Sequence, residues 1–138
     1  MESPTERAGG RVPRSLLVVY LAAQSLLGVV WWGLLAFAPD VRSAFELATD
    51  RHQALDAFFL ADATIFIGGS ALGAWSLHRQ ARWAAPVLFL TAGGTAYATL
   101  YLADWVALRG DGAAGLLPMV VATTATLGIA VRTWRQVA

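Results

Sequence analysis

Four stretches of this chain, each 20 to 23 residues long, carry at most one charge apiece, and that pattern leaves few folds open. They are residues 16–38, 57–77, 83–103 and 112–131. At about 1.5 Å per residue, each forms a helix of roughly 30–35 Å, the thickness of a hydrocarbon core. A soluble domain of 138 residues, 57 % hydrophobic and 14 % charged, has too few polar side chains to cover its surface. The excess apolar surface faces lipid. The sequence therefore predicts an all-α, polytopic membrane protein. Its expected form is a four-transmembrane-helix up-down bundle over 16–132, with short polar tails at 1–15 and 133–138.

The first run follows a basic start and ends in Ala36-Phe37-Ala38, as a cleaved signal peptide does. Its 23 uncharged residues exceed a signal core of about 7–15, and Pro39 would follow the cut, so the expectation is a retained helix. In the connection that follows, Ser43-x-x-Glu46 has the spacing of a capping box. Val41, Ala44, Phe45, Ala48, His52 and Leu55 recur at helical intervals. They predict a short interfacial amphipathic helix between helices 1 and 2, a solvated loop being the other reading. Arg7, Arg11, Arg14, Arg79, Arg82, Arg132 and Arg135 fall at one set of span ends; Arg42, Arg51 and Arg109 share the other with five acids. The positive-inside rule then predicts a multi-pass protein of the cell inner membrane with both termini cytoplasmic.

Composition removes several chemistries. With no Cys there is no thiolate nucleophile, disulfide or iron–sulfur cluster, and with no Lys there is no Schiff base. His52 and His78 are expected on opposite sides of the membrane, so they cannot share a haem or a metal, and no cofactor or metal site is expected. A net charge of +1 gives no footprint for nucleic acid.

Asp62, the one carboxylate inside a run, is the sharpest candidate. On an ideal helix Asp62, Phe66, Gly69 and Gly73 share a stripe, and a seam of small residues lets another helix approach closely. A carboxylate facing lipid would cost several kcal/mol, so Asp62 is expected to point into the bundle. It starts roughly 9 Å below the span end, at the level of Trp31 and Tyr97. The third run offers a stripe of Gly93, Gly94, Tyr97, Tyr101 and Asp104, and the first offers Gln24, Gly28 and Trp31. The reading is a polar and aromatic site in the outer half of the bundle. Asp62, Tyr97 and Asp104 are its acid–base candidates; Trp31, Gln24, Phe66 and Tyr101 are its ligand-binding candidates. The structural alternative for Asp62 is a carboxyl tied to Tyr97, Thr64 or Gln24.

Phe59-Leu60-Ala61-Asp62 and Gly68–Gly73 each resemble a phrase of the lipoprotein signal peptidases. Here the two come in reversed order on one span, without the Asn residues those motifs need, so the match fails. The small multidrug transporters need an acid in helix 1, which is absent. Three functions stay open. The first is a protein that binds a lipophilic small molecule or serves as accessory subunit of a larger membrane complex. The second is a cofactor-independent isomerase, cyclase or epoxide-opening hydrolase acting on an isoprenoid- or sterol-like substrate, with Asp62 as acid or base. The third is a proton-coupled transporter working as a homo-oligomer. Besides the lipid bilayer, the expected partners are those of these three readings.

Overall fold

The computed structural model describes residues 12–45, 53–110 and 112–137. Among these residues the fold is all-α, with four helices long and apolar enough to cross a membrane. The first span is Arg14–Phe37, entered from extended Pro13 and closed at Ala38, whose N–H donates to the Leu34 carbonyl. The short helix Pro39–Phe45 follows, with proline at the first position, where its missing N–H costs no bond. Ser43 therefore does not cap a helix start. It lies inside this helix, its hydroxyl donating to the Asp40 carbonyl at 2.9 Å, while Glu46 and His52 lie outside the described residues.

The second span is composite: an α-helical stretch Gln53–Ala61, a π-helical stretch Asp62–Gly68, and an α-helical stretch Gly69–His78. A tight turn through Gln80, at φ 54°, leads to the third span, Ala84–Arg109, which Gly110 closes at φ 78°. The fourth, Ala113–Val137, carries Pro118 and continues past the apolar run through most of the expected C-terminal tail. Each span packs on the next in sequence, the third and fourth most extensively, while the first and fourth meet only sparsely.

The interior is built from small and hydroxylated side chains, since between lipid and protein there is no hydrophobic drive to bury bulk. Leu21, Leu77, Ala84, Leu88 and Ala130 form its apolar cluster. Beside them Gln24 joins three spans, its Nε2 donating to Ser70 Oγ at 2.8 Å and Thr126 Oγ1 at 3.2 Å. Thr91, Thr95 and Thr99 line the buried face of the third span, each bonding the carbonyl four residues earlier. Thr99 also shares a 2.8 Å bond with Thr123 of the fourth span. Among the described residues, every buried polar side-chain atom has a partner.

Candidate functional site

The π-helical stretch places Asp62. Over its seven residues, ideal α-helical steps of about 3.6 per turn would keep Asp62 in line with Gly69; the wider π turn, about 4.4 residues, rotates the carboxyl roughly a third of a turn away. The structure shows the consequence. A Cβ on Gly69 would collide with Thr91, and one on Gly73 would come within 2.8 Å of Leu88, so the glycines face the third span. Asp62 faces the first span instead, where Trp32 Nε1 donates to its Oδ2 at 3.2 Å. The expected single stripe is therefore split between two neighbours. Ser25 of the first span donates to the Ile67 carbonyl at 3.0 Å, bonding a main-chain acceptor within the π-helical stretch.

Around this pair the site is aromatic. Trp32 meets Phe59 edge-on at 5.1 Å, and Phe58 meets Tyr101 at 5.3 Å. Thr64 is occupied by its own helix, bonding the Leu60 carbonyl at 2.6 Å. Just beyond, Arg42 Nη2 and Asp56 Oδ1 pair at 2.8 Å and tie the short helix to the second span. Asp62 is half-buried; its Oδ2 holds the indole, and its Oδ1 has no protein donor among the described residues. A carboxylate has acceptor capacity well beyond one hydrogen bond, so the arrangement can receive a hydroxyl or amine from a molecule lying between lipid and helix.

The remaining candidates divide. Phe66 packs against Gly28 of the first span, where a Cβ would lie 3.3 Å from its ring. Tyr101 touches Phe58 while 41 % exposed, and Trp31 is half-buried. Gln24, eight residues before Trp32 on the first span, is spent on Ser70 and Thr126 and does not reach Asp62. Tyr97 is 72 % exposed and Asp104 is exposed as well; both lie on the outer side of the third span, which approaches the second through Ile65 and Gly94 instead. The structure thus does not bring Tyr97 or Asp104 to Asp62. The expected stripe of the third span is divided: Gly94 and Tyr101 meet the second span, while Gly93, Tyr97 and Asp104 face out and the threonines face inward.

Trp32 is the residue that the sequence reading passed over in favour of Trp31. A signal existed: Leu21, Ser25, Gly28, Trp32 and Leu35 recur at three- and four-residue intervals, the period of one helix face. No protein family, curated protein or solved structure matches this chain.

Proposed function

We propose that this chain is a small ligand-binding protein of the bacterial inner membrane, with both termini cytoplasmic. In this reading it holds a lipophilic molecule by a polar head group at Asp62. The observation that carries the reading is the half-buried Asp62 carboxyl, steadied by one indole N–H and bordered by Phe59 and Trp32. A charged group inside a span is expensive and marks a functional candidate. The π-helical stretch that begins at Asp62 adds to this, because π segments in α-helices concentrate at functional sites. The arginine distribution, seven at one set of ends and three at the other, supports the orientation. The acid–base enzyme carries less weight, because Tyr97 and Asp104 stand apart from the carboxyl.

The test is recovery of bound small molecules from native membranes by extraction and mass spectrometry, comparing wild type with Asp62→Asn and Trp32→Phe. A lipophilic compound carrying a hydroxyl or amine is expected with wild type and depleted in both variants. Equal recovery from wild type and Asp62→Asn, with both proteins folded, refutes the role of the carboxyl. Conversion of the extracted compound by wild type alone would replace binding by catalysis.

A further inference from the structure

At the arginine-rich end of the bundle, opposite Asp62, two cavities adjoin. One, about 260 Å³, lies among the start of the first span and the ends of the second and fourth, between Arg14, Leu17, Leu77 and Thr133. The other, about 700 Å³, runs along the fourth span past Gly128, Leu127 and Val131 to Arg135. Arg132 and Gln136 border both, so the two adjoin at one guanidinium.

We propose that this double cavity is a binding site for one anionic phospholipid, with the phosphate among Arg14, Arg132 and Arg135 and an acyl chain along the fourth span. Three observations converge on it. First, no carboxylate among the described residues pairs with any of the three arginines, so their charge is available to an anion. Second, Arg132 is held in place: its Nη2 donates to the Val12 carbonyl. A guanidinium has five N–H donors, so this bond orients the group while sparing donors for phosphate oxygens. Third, the larger cavity runs along the fourth span from Arg135 and Gln136 at the head, past Val131, Gly128 and Leu127, to Thr124 at its far end. A Cβ on Gly128 would meet nothing within 4 Å, which leaves an open trough beside the helix where a chain can lie. The larger cavity is lined by the fourth span alone and so lies on the outer face of the bundle. A basic pocket between helices that adjoins a largely apolar trough matches a head group with its tail. Free phosphate shares the head-group chemistry but has no use for the trough.

The experiment is native mass spectrometry of the full-length protein in detergent, titrated with phosphatidylglycerol, phosphatidylcholine or inorganic phosphate. One phosphatidylglycerol is expected to survive detergent removal, with phosphatidylcholine lost under the same conditions. Replacing Arg14 or Arg135 by Gln should weaken retention about fivefold each, and about thirtyfold together. These variants carry the charge test, because Arg132→Gln also removes the bond to Val12. Gly128→Leu, which keeps the charge and fills the trough, should weaken the lipid at least threefold, on the scale of about one buried methylene. Arg79→Gln, at the same end but outside both cavities, should leave retention unchanged. Loss on Arg79→Gln equal to that on Arg14→Gln would reduce the effect to diffuse surface charge and overturn the site. Displacement of the lipid by millimolar phosphate, or indifference to Gly128→Leu, overturns the lipid assignment in favour of a free anion.

Discussion

Replacing Gln24 by Leu tests how this interior is held together. In the wild type, Nε2 donates to Ser70 Oγ at 2.8 Å and Thr126 Oγ1 at 3.2 Å, joining the first span to the second and fourth. Interhelical hydrogen bonds inside membranes average about 0.6 kcal/mol and reach about 1.7, so losing these two and the longer bond from Thr126 Oγ1 to Gln24 Oε1 at 3.4 Å removes roughly 1–2 kcal/mol. Ser70 and Thr126 are fully buried, and in a water-soluble core each orphaned hydroxyl would add about 1–3 kcal/mol. Here each hydroxyl has a fallback. Thr91, Thr95 and Thr133 already bond the carbonyl four residues back, and Ser70 and Thr126 can rotate to do the same. The expected destabilisation is therefore about 1–2 kcal/mol, with the fold retained. Reversible unfolding in mixed micelles, titrated with SDS and followed by helical circular dichroism, measures it. A double-mutant cycle with Ser70→Ala should return a coupling near 0.6 kcal/mol. A loss above about 4 kcal/mol would mean the hydroxyls cannot turn back to their own helices, and the fallback argument fails. A loss under about 0.3 kcal/mol would mean the three-span junction contributes packing alone.

Other outcomes follow from the helix faces. Gly69→Ala and Gly94→Ala, whose added Cβ atoms would collide with Thr91 and Ile65, should each cost about 1–3 kcal/mol in the same titration. Gly33→Ala and Gly93→Ala, which meet nothing within 4 Å, should be neutral or slightly stabilising; equal costs at all four positions would contradict the packing. Tyr97→Leu should change stability by no more than about 0.5 kcal/mol, as expected of a lipid-facing position, and a loss beyond about 2 kcal/mol would turn the third span back inward. Because the chain has no Cys, single cysteines at Arg82 and Arg109 give unambiguous reporters of sidedness. In intact cells a membrane-impermeant maleimide should label the Arg109→Cys variant and spare the Arg82→Cys variant; the reverse pattern would invert the proposed orientation.

The four spans were legible because their signal is gross. Runs of 20 to 23 apolar residues survive errors of several residues at either end, and the observed helices extend the runs at Gln53, Arg109 and Val137 while keeping their number and order. The facing of each span was harder to read. In water, a tyrosine amid apolar residues draws attention as a polar group seeking a partner. In lipid the discriminating feature is size: Thr91, Thr95 and Thr99 bond carbonyls of their own helix and let the second span (at Thr91) and the fourth (at Thr99) come close, so they mark the inside. The stripe at Tyr97 and Asp104 is left on the surface by the same rule.

The misplacement of Asp62 has a different origin. Any face assignment multiplies an angle per residue by a count, so a local change of helix type shifts everything beyond it. Nothing in Asp-Ala-Thr-Ile-Phe-Ile-Gly declares a π turn, since its residues suit an α-helix about as well. What selects the wider turn is tertiary. Below it, Gly69 must face Thr91; at its top, Asp62 must reach an indole donor, and Trp32 stands on the first span rather than the third. With α-helical steps those two demands conflict, because they would put the carboxyl above the glycines, facing a span whose one tryptophan, Trp105, lies eight residues beyond Tyr97. The π-helical stretch resolves the conflict at the cost of looser main-chain bonding, which Ser25 offsets at Ile67. The turn, the indole and the serine thus belong together, and removing Trp32 or Ser25 should loosen the same few residues around the carboxyl.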